Sequence, residues 1–291
     1  MRVPSSRVQL RELLGQDPEA FVRQSLLDEL AVLHVMTDQE LLGENPESLH
    51  EFRVAVRTLR TRLKFYEPFF KNRSKINKWL KELKWLDSRI QPLRELEVQI
   101  ALFEELTQDT LQLFVSKPAK HQELKKRLNA LKTELSKPMF ETRQKMQFAL
   151  LSERKHRLLT DIKTGLLLSQ IKPKKILLLE DVLLKELAKR VDQLQKVTEK
   201  PNFAKLSFKK LHGVRLNFKR ARYLAEAIGL ASKSFADSQT LLGDINDLEN
   251  LDVWVRSRMA TLGRKRKLMG AFIAEIDSRL TEKRSSLSSQ A

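Results

Sequence analysis

The sequence predicts an all-α protein, and three observations carry that prediction. Only eight glycines and nine prolines interrupt its 291 residues. Between them Leu, Lys, Glu and Arg recur at helical spacing over long windows. The third observation is the stretch HEFRVAVRTLRTRLK, His50 to Lys64, whose side chains sort into two arcs on a helix. At 100° per residue, His50, Arg53, Arg57, Arg60 and Lys64 share an arc of about 80°, and Phe52, Ala55, Val56, Leu59, Leu63 and Tyr66 fall between about 140° and 240°.

Taken in chain order, the first helix is predicted from Pro18 to Leu42 and the second, which holds the two-arc stretch, from Pro46 to Phe70. Pro68 sits near its end, where a missing amide donor costs least. The third runs from Ser74 to Leu106 and carries Lys75, Lys78, Lys81 and Lys84 near one side, with Trp79 and Trp85 expected in the core. Pro92 lies inside that pattern and predicts a kink or a break. Helices from Lys120 to Leu135 and from Met139 to Ser169 follow Pro118 and Pro138. Those from Lys174 to Val197 and Ala204 to Ile228 follow Pro173 and Pro201. Ser234 to Leu262 and Gly263 to Glu282 complete the set.

The composition bounds the function. With 41% hydrophobic and 32% charged residues the chain can bury a real core. Lys and Arg total 55 against 37 Asp and Glu, a formal net charge of +18. Such a balance points to a polyanion: nucleic acid, an anionic membrane or a polymeric phosphate. The absence of cysteine excludes disulfides and thiolate metal sites. No 18-residue apolar run occurs, and the N-terminal MRVPSSRVQLRELLGQDPEAF has no long apolar region. These features lead us to expect a soluble, cytoplasmic protein without a membrane partner.

The basic ridge of the second helix is unusual, because like charges one turn apart repel by a few tenths of a kcal/mol where alternating signs would attract by as much. It also occurs twice. LHEFRVAVRTLRTRLK, from Leu49, aligns with LHGVRLNFKRARYLAE, from Leu211, so that His50, Arg53, Arg57 and Arg60 match His212, Arg215, Lys219 and Arg222 at a constant offset of 162 residues. A second element follows each copy: IQPLRELE from Ile90 aligns with LGDINDLE from Leu242, pairing Arg94 and Glu95 with Asn246 and Asp247. Two homologous helical halves are expected, dividing between Leu135 and Lys174.

The HxxRxxx(R/K)xxR helix in two copies, each followed by an (R/N)(D/E)L(D/E)-like element, resembles the CHAD family, the conserved-histidine α-helical domain. The resemblance covers nearly the whole chain. It implies a single CHAD-like domain over residues 1–291, all-α, with two pseudo-twofold-related helical bundles at about 18–150 and about 151–285. It further implies binding of inorganic polyphosphate through a basic central groove or channel. The ligand-facing residues would be His50, Arg53, Arg57, Arg60 and Lys64 in the first half, and His212, Arg215, Lys219, Arg220 and Arg222 in the second. Two departures make the ridges unequal: Glu226 stands where the first copy has Lys64, and Arg220 where it has Thr58. Gln91 and Pro92 also replace Gly243 and Asp244 before the second element.

The residue chemistry agrees with that reading. A flexible polymer with about one negative charge per unit and no bases calls for a row of cations, arginine giving paired planar donors and lysine a mobile point charge. A phosphate beside either histidine would hold it protonated as one more donor. Further candidates for the track are Lys78, Lys81 and Arg94, with Lys189, Arg190, Arg154 and Arg157 weaker. The run RKRK, Arg264 to Lys267, reads as a solvated face.

No cofactor or metal is expected: His34, His121 and His156 form neither HExxH nor an i, i+4 histidine pair. Glu95, Glu97, Asp244, Asp247 and Glu249 read as acids that hold arginines in place, with magnesium binding as the competing role. The nearest approach to the ExExK signature of a triphosphate-tunnel (CYTH) domain is Glu95, Glu97 and Gln99, which ends in glutamine within a helical pattern. No phosphate-cradling GxxxxGK(S/T) loop, GxSxG elbow or thiol nucleophile occurs. The leading expectation is a non-catalytic polyphosphate-binding module, found at polyphosphate granules or with polyphosphate-associated proteins. A nucleic-acid-binding helical protein is the disfavoured alternative, since single-strand binders set aromatics among their cations and Phe52, Phe65 and Phe218 fall on or near the apolar arcs. A magnesium-dependent polyphosphate-processing enzyme is the third.

Overall fold

The computed structural model describes residues 17–42, 47–172, 176, 178–200, 202–227, 230, 232–259 and 269–289. Among them the order is α1 (Pro18–Leu42), α2 (Ser48–Tyr66), a 3-10 turn (Glu67–Phe69), α3 (Arg73–Gln112), α4 (Pro118–Ser136), α5 (Met139–Leu151) and α6 (Glu153–Leu168). There follow α7 (Leu179–Thr198), a second 3-10 turn (Phe203–Lys205), α8 (Phe208–Ala227), α9 (Lys233–Met259) and α10 (Gly270–Ser289). The only extended pairing among the described residues is an antiparallel bridge between Phe70 and Ile171. The RKRK run lies outside them.

The helices expected from sequence are present with ends shifted by several residues, α8 starting at Phe208 rather than Ala204 and α10 at Gly270. The expected ends at Pro46, Lys174, Ile228, Leu262 and Gly263 lie outside the described residues. Two larger corrections concern a break and a proline. The segment Met139 to Ser169 is two helices, because Ser152 adopts an extended backbone and its side chain accepts from the Lys155 amide. That makes it the N-cap of α6, a role serine fills by satisfying one orphan amide of the first turn. Pro92, in contrast, does not break α3, which runs through it from Arg73 to Gln112. The carbonyl that a proline at 92 leaves without its amide partner belongs to Ser88, and both residues are exposed, so water can solvate it.

The chain forms two compact units, each assembled from three segments. The first comprises Met1–Arg94, Glu141–Gln193 and Arg220–Lys233. Here α1 packs against α2 and α6. Arg62 of α2 ties the first pair together, donating to Ser25 Oγ at 2.9 Å and pairing with Glu29 at 3.1 Å. Arg23 of α1 donates to the carbonyls of Leu166 and Ser169 at the end of α6, where unsatisfied acceptors collect. The N-terminal part of α3 runs antiparallel to α6: Trp79 donates to Asp161 at 2.8 Å, and Arg154 pairs with Glu82 at 2.6 Å. Trp79 is fully buried, and a Cβ on Gly165 would sit 2.2 Å from its ring, so that crossing requires glycine. Trp85 is half-buried rather than core; Arg154 stacks over its ring at 4.0 Å.

The second unit comprises Glu95–Phe140, Leu194–Lys219 and Ser234–Ala291. Its core joins α3 beyond Glu95 to α4, α9 and α10 through Phe103, Leu106, Leu128, Leu131, Leu251, Val255 and Phe272. The Phe103 and Phe272 rings lie 5.0 Å apart and tilted, a favoured aromatic geometry. Arg284 of α10 donates to the carbonyl of Ala204 at 2.6 Å and pairs with Glu249 of α9, fixing the 3-10 turn that leads into α8.

Candidate functional site

The apolar arc of α2 is the buried one: Leu49, Phe52, Ala55, Val56, Leu59, Leu63 and Tyr66 all lose their solvent contact. The basic arc is thereby held at the surface. His50 and Lys64 are exposed, while Arg53, Arg57 and Arg60 are half-buried. Arg60 is bound by Asp87 of α3 at 2.9 Å. Arg53 and Lys64 have no carboxylate partner among the described residues. The Nε of Arg53 is buried without any hydrogen-bond partner. Loss of water around the His50 ring, followed by the nearby Arg94 guanidinium, pushes its pKa below the ordinary value; Arg53 and Arg57 act in the same direction and Glu47 opposes them.

The second ridge, on α8, repeats this plan. Leu211, Val214, Phe218, Ala221, Leu224 and Ala225 are buried. His212 and Arg220 are exposed, and Arg215, Lys219 and Arg222 are half-buried. Arg222 pairs with Glu226 at 2.9 Å and lies over the Tyr223 ring at 5.0 Å. Arg215, Lys219 and Arg220 have no carboxylate partner within ion-pair distance among the described residues. Like that of Arg53, the Arg215 Nε is buried and unpartnered. Its guanidinium lies over Gly243, where a Cβ would come 3.4 Å from it.

The residues aligned after each ridge act on its histidine, Arg94 by its charge and Asn246 by direct contact. Arg94 acts on His50 within the first unit. In the second unit the Asn246 side-chain oxygen lies 3.0 Å from His212 Nδ1, and the Asn246 amide donates to Asp247 at 3.1 Å. Burial pushes the Asp247 carboxyl up, opposed by the Asn246 amide and by Arg215. Asn246 carries no charge and so stands outside the cation pattern; its alignment with Arg94 is the signal that marks it.

The secondary candidates divide. Lys78, Lys81 and Lys189 are exposed without an ion pair among the described residues. Lys75 is taken by Asp161 at 3.2 Å, Arg190 by Glu186 at 2.5 Å, Arg154 by Glu82, and Arg157 by Glu153. Sequence reasoning also passed over Lys209 and Lys210, exposed in the first turn of α8. Of the acids, Asp244 binds Lys283 at 2.6 Å and Glu249 binds Arg284. No group of three His, Asp or Glu among the described residues is arranged to hold a metal ion. No described helix is long and apolar enough to cross a membrane.

Among solved structures the chain is similar to PptA from Streptomyces chartreusis, with a TM-score of 0.63, 14% identity, and coverage of 94% of this chain and 98% of that one. It is likewise similar to the CHAD domain from the plant Ricinus communis, with a TM-score of 0.61, 21% identity, and coverage of 92% and 91%. At these identities the likeness establishes the fold. No curated protein matches the sequence. The CHAD domain family model matches residues 10–256. The chain therefore belongs to the CHAD domain family.

Proposed function

We propose that this chain is a non-catalytic binding module for inorganic polyphosphate and that the basic ridges of α2 and α8 hold the polymer. One observation carries the reading: Arg53, Lys64, Arg215, Lys219 and Arg220 have no carboxylate within ion-pair distance among the described residues, although Asp247 acts on Arg215 from further off, on helices whose buried faces are apolar. Cations left unneutralised in this way gain most from an external polyanion, and guanidinium groups suit phosphate oxygens in particular. The reading includes one polymer engaging both ridges as a shared positive groove. Descent of the two halves from an internal duplication is part of the same proposal; the matched roles of Arg53 with Arg215 and of Arg94 with Asn246 support it.

The aromatic residues favour polyphosphate over nucleic acid. Phe52 and Phe218 are buried and Phe65 is half-buried, so the described residues of the two ridges do not present a series of exposed rings for bases to stack on. Phe208, 39% exposed beside His212, is a single ring. For the acids, ion pairing of Asp244 and Glu249 supports a scaffold role over catalysis. Residence at polyphosphate granules is the cellular counterpart of this function.

The test is retention on immobilised long-chain polyphosphate at moderate salt. Replacing Arg57 and Lys219 together with Glu is expected to abolish retention while leaving the helical circular-dichroism signal intact. Retention equal to wild type rejects the ridges as the site. Displacement of the polymer by duplex DNA or RNA at equal phosphate concentration makes nucleic acid the ligand, and magnesium-dependent phosphate release that Asp247→Ala removes makes the protein an enzyme.

A further inference from the structure

The two ridge histidines have unlike neighbours, and the difference has a chemical consequence. The charge acting most strongly on His50 is the Arg94 guanidinium, a group with donors only. His212 faces Asn246, whose amide can present either a donor or an acceptor. Asp247 decides which. Its carboxylate accepts from the Asn246 NH2 at 3.1 Å, so the Asn246 oxygen is the atom turned toward His212 Nδ1 at 3.0 Å. An amide oxygen accepts only, so Nδ1 must carry a hydrogen. In the neutral ring Nε2 is then a bare lone pair, with no partner among the described residues.

From this geometry we infer that Asn246 is a positioning residue that fixes His212 in the Nδ1–H tautomer, so that His212 binds a phosphate oxygen only after Nε2 takes a proton from solvent. The inference rests on the proposed polyphosphate function for its ligand. A phosphate oxygen has lone pairs but no hydrogen to offer an Nε2 lone pair, so neutral His212 and phosphate repel. Protonation turns that contact into a charge-assisted hydrogen bond. No other bond forms or breaks.

The surroundings of His212 are compatible with the added charge. On α8 itself the neighbouring cations are Lys209 and Arg215, one turn to either side. From α9 it meets Asn246, backed by the Asp247 carboxylate, while Asp244 is held by Lys283 of α10. Arg215 and Asp247 act on one another. His212, Asn246, Asp247 and Arg215 therefore form a connected set in which the Nδ1 edge of the imidazole is anchored, the Nε2 edge has no partner among the described residues, and the Phe208 ring lies 6.5 Å away.

The experiment is long-range proton–nitrogen NMR of the full chain labelled with 15N-histidine at pH 8, with the His212 signals assigned by their loss in His212→Gln. The free protein is expected to show Nδ1 protonated and Nε2 bare. Asn246→Ala should release the ring toward the Nε2–H tautomer that imidazole prefers in water, and Asn246→Asp should restore Nδ1–H. Added long-chain polyphosphate should convert His212 to the doubly protonated form at the same pH. A free ring already in the Nε2–H form, or unchanged in Asn246→Ala, overturns the inference. So does a ring that stays neutral while the polymer is retained on the protein. If Nδ1–H is seen but no polymer binds, the ligand step is rejected together with the functional reading, while the role of Asn246 in setting the tautomer stands.

Discussion

Arg60 and Asp87 form a 2.9 Å ion pair between α2 and α3, whereas Lys64, one turn beyond Arg60 on the same helix, has no such partner among the described residues. A cation already paired has less to gain from an external phosphate. Asp87→Asn, which keeps the shape and removes the charge, should therefore tighten polyphosphate binding by about 0.5–1 kcal/mol, roughly two- to fivefold. Salt elution from immobilised polymer measures it. Unchanged or weaker retention would show that Arg60 is structural only.

A second prediction concerns the fold that presents the ridges. Gly165→Ala places a methyl group 2.2 Å from the buried Trp79 ring, which α3 and α6 accommodate only by moving apart. The expected loss is about 1–3 kcal/mol of stability, read as a lower urea midpoint. A midpoint equal to wild type would mean that the crossing is looser than the contact distance implies.

The third prediction is a pH dependence at His50. Its folded pKa is depressed, by burial first and then by Arg94, so the unfolded chain takes up this proton before the folded one does. Stability contributed by neutral His50 is full above the unfolded pKa of about 6.5 and declines as pH falls through the depressed folded value. A bound polyanion reverses the sign, because it favours imidazolium. On acidification from pH 7.5 to 5.5 the free protein should melt at lower temperature while polyphosphate affinity rises, and His50→Gln should flatten part of both trends. Parallel trends in wild type and His50→Gln would remove His50 from the account.

The sequence made legible whatever repeats within one helix. Phe52, Ala55, Val56, Leu59, Leu63 and Tyr66 are buried, as their spacing requires. The cap at Ser152 was hidden because apolar spacing continues on both sides of it. Pro92 could be flagged as a breaker but not excused, since its tolerance depends on Ser88 and Pro92 both facing outward. At the site, the Arg222–Glu226 pair is visible at i, i+4, but the Arg60–Asp87 pair joins residues 27 apart, and only the packing of α3 on α2 brings them together. Asn246 carries no charge, so the cation pattern that marks both ridges does not reveal its role.

The most direct test of the central claim is isothermal titration of long-chain polyphosphate, at moderate salt, into wild type and into Arg57→Glu and Lys219→Glu separately. If one polymer engages both ridges, each single variant should lose more than tenfold in affinity, because disabling either ridge removes the gain from simultaneous contact. Wild-type affinity in both variants, or two independent sites of which each variant removes one, would contradict it.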